Sequence, residues 1–180
     1  MARLEKLDYD AMTPEQKQVS DDITASRGRI VGPFIPWLRS PVLADRSQKL
    51  GAYCRYESSL PPRLSELAIL VVAREWTAQV EWFAHKPIAL EAGTDLKIID
   101  AIEARKRPEF KNRDEEAVYN FSTELLQNKE VSDVTYSLAL EEFGEATVID
   151  LVAILGYYNN VAMALKSFEI LPPDGSTPLT

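Results

Sequence analysis

The sequence predicts an all-α fold of about seven or eight helices. Glycine is scarce, at 7 of 180 residues, whereas a β-rich chain of this length needs many tight turns. The 11 prolines cluster at apparent boundaries between segments, and several segments begin with helix N-cap signals. The chain shows no internal repeat, low-complexity segment or interdomain linker, so we predict one domain.

Capping signals set the helix boundaries along the chain. The TPEQ motif at 13–16 places threonine at the N-cap, proline at the first helical position and glutamine where it completes a capping box. A Ser-Pro pair at 40–41 repeats the signal after 28–39, which we predict to be a loop because it holds two glycines and two prolines. The predicted helices cover residues 13–27, 40–57, 63–79, 80–92, 94–105, 114–128, 132–143 and 145–168. We expect the proline-rich tail, 169–180, to be extended.

The segment 63–79 is predicted to be the central helix. It contains seven consecutive apolar residues, 67–73, and no turn residue. Such a run could be a buried strand, but its uninterrupted length favours a helix that is apolar on all sides and therefore surrounded by others. The next segment ends at Gly93, a suitable C-cap, and contains Pro87, which should kink it or mark its first turn.

Composition excludes several classes of protein. Hydrophobic residues make up 46% of the chain and charged residues 27%, which excludes disordered and fibrous proteins. The net charge of -8 argues against nucleic acid as a partner, because phosphate binding needs a basic surface. No stretch approaches eighteen consecutive apolar residues and the N-terminus has no apolar h-region, so we expect a cytoplasmic protein with no membrane partner. The single cysteine, Cys54, excludes an internal disulfide and dithiol chemistry.

The one histidine, His85, is the candidate for acid–base chemistry near neutral pH. Glu81 lies four residues earlier, so on a helix the two side chains share a face. They could form an ordinary surface pair, although the aromatic residues Trp82 and Phe83 between them favour a segment that packs against the core.

Glu66, at the start of the apolar run, has two interpretations. Spacing alone favours an exposed carboxylate that interacts with the helix dipole or with Arg63. A partly buried Glu66 would instead have a raised pKa and could exchange protons with a ligand. Glu66, Glu81 and His85 could also hold a metal, but the chain has no second histidine, and we predict neither a metal nor a cofactor.

One pattern spans these candidates: R-x-x-E-L-A-I-L-x-x-A at 63–73, followed by E-W-x-x-H-x-x-x-A-x-x-x-G at 81–93. It resembles the core of the carboxymuconolactone decarboxylase family, which shares the alkyl hydroperoxidase D (AhpD-like) fold. Gly-Pro-Phe at 32–34, Ser-Pro at 40–41 and Gly-Tyr-Tyr at 156–158 extend the resemblance to roughly residues 30–170. The resemblance implies a single domain over 1–180, with a family core at about 40–125, an N-terminal extension over 1–39, and a homo-oligomer, commonly a trimer or hexamer.

The family contains two chemistries, and its peroxidase branch uses a Glu, a Cys-x-x-Cys pair and a His. On this chain the Glu and His fall on Glu66 and His85, but the two cysteines would fall on Ala78 and Glu81. A thiol peroxidase needs one thiolate to attack the O–O bond and a second thiol to resolve the product. Because both cysteines of the motif are absent, the resemblance does not imply redox activity for this chain. Cys54 is better interpreted as a buried structural thiol than as a nucleophile.

The other branch acts on lactone acids in aromatic-compound breakdown and needs no cysteine. It implies a cofactor-free enzyme, a decarboxylase-like lyase or related proton-transfer enzyme, whose substrate is a small lactone or unsaturated carboxylic acid. We predict Glu66 and His85 as acid–base groups, with Glu81 orienting or tuning His85. The predicted substrate-binding residues are Arg63, Trp82, Phe34, Trp37 and Tyr157, and further candidates for a cation that holds the acid are Arg39, Arg55, Arg74 and Lys86. Peroxiredoxin-like activity and non-catalytic binding of a small molecule remain the alternatives.

Overall fold

The helix Pro62–Trp76 runs through the centre of the fold, as its apolar sequence predicts. In the computed structural model, which describes residues 3–180, every side chain of this helix from Leu64 to Arg74 is buried. The described residues form eight α-helices and no strand, which confirms the all-α prediction. The helices are α1 (Pro14–Arg27), α2 (Phe34–Trp37), α3 (Pro41–Ala52), α4 (Pro62–Trp76), α5 (Gln79–Glu91), α6 (Leu96–Glu103), α7 (Arg113–Asn128) and α8 (Asp133–Ser167), with a π-helical turn, Tyr53–Glu57, after α3.

The N-terminal capping prediction is confirmed, but the loop predicted after α1 is only partly a loop. The Thr13 hydroxyl accepts a hydrogen bond from the backbone N–H of Gln16, and the Gln16 side chain accepts one from the backbone N–H of Thr13. Within the predicted loop 28–39, the four residues Phe34–Trp37 form α2. Burial of the two aromatic rings at its ends favours this short helix over an open loop.

The last helix, α8, is interrupted at Gly144, where the sequence predicts a boundary between two helices. The φ of 77° and ψ of 167° at this glycine leave the helical region. By length and composition alone α8 could cross a membrane, but 61% of its most apolar stretch is buried inside the protein. Most of this apolar stretch therefore packs in the core of the fold.

The helices α4 and α5 form the hairpin on which the candidate site is built. Thr77 ends α4 in the left-handed conformation, with φ 49° and ψ 47°, and α5 begins two residues later. A connection this short makes the two helices antiparallel neighbours. Glu66 in the first half of α4 therefore lies opposite His85 in the middle of α5.

Asp150 on α8 fixes the π-helical turn that precedes α4. Its carboxylate accepts hydrogen bonds from the Tyr53 hydroxyl at 2.6 Å, from the Ser59 backbone N–H at 2.8 Å and from the Ser59 hydroxyl at 2.7 Å. Charge-assisted hydrogen bonds of this kind are among the stronger ones in proteins. They hold Arg55 and Tyr56, which lie inside the turn, in a defined position beside α8.

Candidate active site

A cavity of about 390 Å³ lies between α5, α8, the segment around the end of α1 and the π-helical turn. Its polar and aromatic lining consists of Ser26, Arg27, Arg29, Phe34, Arg55, Tyr56, Glu81, His85, Tyr157 and Tyr158. The remaining lining is apolar or glycine: Val31, Gly32, Pro33, Val80, Ala84, Val161 and Leu165. An apolar pocket with a few convergent polar groups is the usual form of a small-molecule site.

His85, in the cavity lining, forms a buried hydrogen-bonded pair with Glu66, which is not part of the lining. His85 Nδ1 lies 2.6 Å from Glu66 Oε2, and the two residues are 7% and 4% exposed. The spacing argument that favoured an exposed Glu66 is therefore wrong, because α5 and α8 cover the start of α4. With the Nδ1–H donated to the carboxylate, Nε2 keeps its lone pair, and no side chain among residues 3–180 bonds it. The ring of Tyr158 packs edge-on against the imidazole, with centroids 5.1 Å apart.

Glu81 is a second buried carboxyl group in the lining and has no polar partner. It is 2% exposed, and neither of its oxygens has a hydrogen-bond partner in the part of the chain that the structure describes. This burial raises the pKa of Glu81 well above its ordinary value and so favours the protonated carboxyl group. The partner that fixes His85 is thus Glu66 from the neighbouring helix, whereas the carboxyl group of Glu81 is part of the cavity lining.

Two adjacent tyrosines of α8 complete the wall opposite α5. Burial raises the pKa of Tyr157 to about 12 and raises the pKa of Tyr158 well above its usual range, so both stay neutral. Their rings pack edge-on at 5.2 Å, and the ring of Trp37 packs on Tyr157 at 6.4 Å. The predicted residues Phe34 and Tyr157 therefore line the cavity directly, and Trp37 supports them from behind.

Arg63 and Trp82, predicted to bind substrate, lie outside this cavity lining. The Arg63 guanidinium forms ion pairs of 2.6 Å with both Asp114 and Glu115 at the start of α7. Trp82 is fully buried in the core and is not one of the residues that line the cavity. In the structure Arg63 thus joins α4 to α7.

Three arginines that no motif contains line the cavity instead. Arg27, Arg29 and Arg55 form no ion pair with any of residues 3–180. Arg27 donates a hydrogen bond to the Gln48 backbone carbonyl and lies over the ring of Phe34, and Arg55 lies over the ring of Tyr56. Of the other cationic candidates, Arg39 and Arg74 donate to backbone carbonyls and Lys86 pairs with Glu103. For Arg27 the sequence holds one signal: it directly precedes Gly28, the glycine that ends α1. This signal indicates that Arg27 lies at the end of that helix.

The fold is shared with two solved structures, although no protein-family model and no curated protein matches the sequence. The first is from Ralstonia eutropha JMP134 and is described as an alkylhydroperoxidase AhpD core and an uncharacterized peroxidase-related protein. It has a TM-score of 0.78 and 14% identity, covering 96% of this chain and 93% of that chain. This chain has the AhpD-like fold. An uncharacterized peroxidase-related protein from Silicibacter sp. TM1040 is similar, with a TM-score of 0.76 and 14% identity over 95% of this chain and 91% of that chain.

The AhpD-like fold that the motif resemblance implies is thus confirmed, whereas carboxymuconolactone decarboxylase activity stays a prediction. The redox chemistry of thiols has little support in this version of the fold. Cys54 is fully buried, and this burial raises the pKa of its thiol to about 11. Among residues 3–180 no three His, Cys, Asp or Glu side chains lie close enough to hold a metal ion, so the two-carboxylate, one-histidine metal arrangement is not formed.

We predict that Gly51→Ala displaces Tyr157 from the cavity wall of this AhpD-like fold. A Cβ at Gly51 would lie 2.5 Å from Tyr157 Cζ and would overlap its hydroxyl. Overpacking of this kind costs about 1–3 kcal/mol, which exceeds the gain in helix propensity of up to about 1 kcal/mol. Urea unfolding measures the change in the free energy of unfolding.

The matched control for Gly51→Ala is Gly156→Ala, also in a helix. A Cβ added at Gly156 meets nothing within 4 Å, so this change should stabilise the protein slightly. Equal stability of the two variants would mean that Tyr157 is not held against Gly51.

Proposed function

We propose that the cavity is the active site of a cofactor-free acid–base enzyme that acts on a small lactone or unsaturated carboxylic acid. One observation supports this above all. His85, which is hydrogen-bonded to Glu66, and Glu81, whose pKa burial raises, line the same cavity. The site thus offers a base and an acid together, which is the requirement for moving a proton to or from carbon.

In the proposed reaction the substrate carboxylate binds the unpaired arginines, of which Arg27 and Arg55 are half-buried. For a decarboxylation, the C–C bond to a second carboxylate breaks, carbon dioxide leaves, and the electron pair passes into a conjugated carbonyl. The carboxyl group of Glu81 then gives its proton to the carbon that lost carbon dioxide, and solvent reprotonates Glu81. For an isomerisation, His85 Nε2 first removes a proton, and its charge is stabilised by Glu66.

A thiol peroxidase is the second candidate, because both structural neighbours are described as peroxidase-related. The residues of this chain oppose it. It has one cysteine, which is buried and has a raised pKa, and no second thiol to resolve an oxidised intermediate. Hydroperoxide reduction that is lost in Cys54→Ser would favour the peroxidase.

The proposal includes a homo-oligomer, such as a trimer or hexamer. Apolar side chains of α3 and α8, among them Val42, Leu43, Ile149 and Val152, are exposed in the isolated chain. Burying them against other copies would remove apolar surface from water. Light scattering coupled to size-exclusion chromatography measures the mass.

The experiment that tests the function is a substrate panel of lactone acids and unsaturated acids, 4-carboxymuconolactone included. Turnover is followed by ultraviolet absorbance and by release of carbon dioxide. Turnover without added metal or cofactor supports the proposal. An intact oligomer that binds the acids but turns none of them over would instead support a binding protein.

We predict that Arg55→Met raises KM for an anionic substrate by about 10- to 100-fold with little change in kcat, because a charged hydrogen bond contributes about 1.5–3 kcal/mol. The methyl ester of the same acid lacks the charge, so its binding should be unaffected. Arg46→Met, which removes an exposed arginine of α3 outside the cavity, is the control variant. An equal loss for acid and ester would show that Arg55 acts by packing rather than by charge.

A further inference from the structure

A second cavity, of about 530 Å³, adjoins the candidate active site, and we name it the side groove. The two share the lining residues Arg29, Val31, Gly32, Val80 and Ala84. The rest of the side groove is apolar and is formed by Ile35, Phe83, Ile88, Ile170, Leu171 and two prolines. Among its described lining residues Arg29 is the one charged side chain, so the groove offers almost nothing to a polar ligand.

The border between the two cavities is formed partly by small residues and is open to the surface. Gly32 has no side chain and Ala84 has a single methyl group, while Ala84 and Val31 are both exposed. Gly32 also has a φ of 59°, a conformation in which a larger residue would be strained. A ligand that enters the active-site cavity can therefore extend across this border without displacing a buried side chain.

We propose that the side groove binds an apolar substituent of the substrate, so that the preferred substrates are carboxylic acids that carry a long aliphatic chain. This inference rests on the proposed function, because the carboxylate of the acid is placed near Arg27 and Arg55. The charged and polar side chains line the first cavity, and the lining of the side groove is almost wholly apolar, which matches a ligand with a charged head and an apolar tail. Arg29, at the border, adds a further cation on the side of the head group.

The test compares two unsaturated acids with the same head group, trans-2-butenoate and trans-2-decenoate, by isothermal titration calorimetry. Each buried methylene contributes about 0.8 kcal/mol, so even partial burial of the longer chain should lower Kd by about 50-fold or more. Leu171→Asp places a charge in the side groove and should reduce this ratio by about tenfold. The control is Leu96→Asp on α6, because Leu96 and Leu171 are 50% and 49% exposed and Leu96 lies outside the groove.

Equal affinity for the two acids, absence of binding, or a ratio that Leu171→Asp leaves unchanged would overturn the proposal. It would also be overturned if Leu171→Asp altered the oligomeric mass but not ligand binding, because the groove would then be a contact between copies. The proposed catalysis is tested separately by turnover. Chain-length preference in binding, together with no turnover of any acid in the substrate panel, would refute the catalysis and leave the assignment of the groove intact.

Discussion

Replacing His85 by alanine is expected to lower kcat by about 10²- to 10⁴-fold, the range that a positioned general acid or base contributes. His85 is the one histidine of the chain, and its Nε2 has no partner among residues 3–180, so no neighbouring imidazole can take over the proton. Steady-state kinetics on a panel substrate whose conversion begins with removal of a proton from carbon measures the loss. Added imidazole should restore part of the activity, because the cavity left by the ring opens on the substrate site. Near-normal turnover in a correctly assembled His85→Ala variant would exclude this role.

Glu66→Gln tests whether Glu66 acts through His85. The amide introduced there can donate to Nδ1, which would move the imidazole proton to Nε2 and remove the lone pair that acts as the base. We expect a fall in kcat of similar size, a changed kcat–pH profile and no rescue by imidazole. Partial recovery in Glu66→Asp would support a positioning role, because a carboxylate would again accept from Nδ1. A variant that loses stability but keeps its pH profile would show Glu66 to be structural.

Local signals in the sequence were sufficient for most of the helices. The capping box at Thr13 and the glycine at 144 act within a few residues of the boundaries that they set. The central position of α4 follows from its apolar surface on all sides. The short helix α2 was not predictable in this way, because burial of Phe34 and Trp37 against distant residues decides its conformation.

The motif spacing predicted which residues meet at the site but not how they pair. On α5 alone, the four-residue spacing favours contact between Glu81 and His85. The packing of α4 on α5 instead brings Glu66 within 2.6 Å of the imidazole and leaves Glu81 without a partner. The arginines come from the end of α1, the residues just after it and the π-helical turn. The position of this turn beside α8 depends on contacts far apart in the sequence, such as that of Asp150 with Ser59.

Glu81→Gln is expected to have a higher free energy of unfolding than the wild type, and this difference should grow as the pH rises above about 4.5. Below the unfolded-state pKa of 4.5 the carboxyl group is protonated in both states and makes no pH-dependent difference. Above it, burial keeps the proton on the native state while the unfolded state loses it, so the free energy of unfolding of the wild type falls with pH. The slope is about 1.4 kcal/mol per pH unit until the raised native pKa is reached.

Urea unfolding of both proteins between pH 4 and pH 8 measures this divergence in stability. The control is Glu91→Gln, which removes an exposed carboxylate of the same helix and should leave the pH dependence unchanged. Parallel stability curves for wild type and Glu81→Gln would mean that Glu81 is ionised in the native protein. Glu81 could not then be the proton donor.

The same substitution should reduce kcat by about 10²-fold or more, because an amide cannot give a proton to carbon. In the wild type, activity that depends on the acid form of Glu81 should fall as the pH rises through its raised native pKa. A variant that is more stable at neutral pH and yet less active cannot be explained by damaged folding. Such a variant would mean that the buried carboxyl group of Glu81 lowers the stability of the protein and is needed for its activity. This is the trade-off expected where stability and activity oppose each other at one residue.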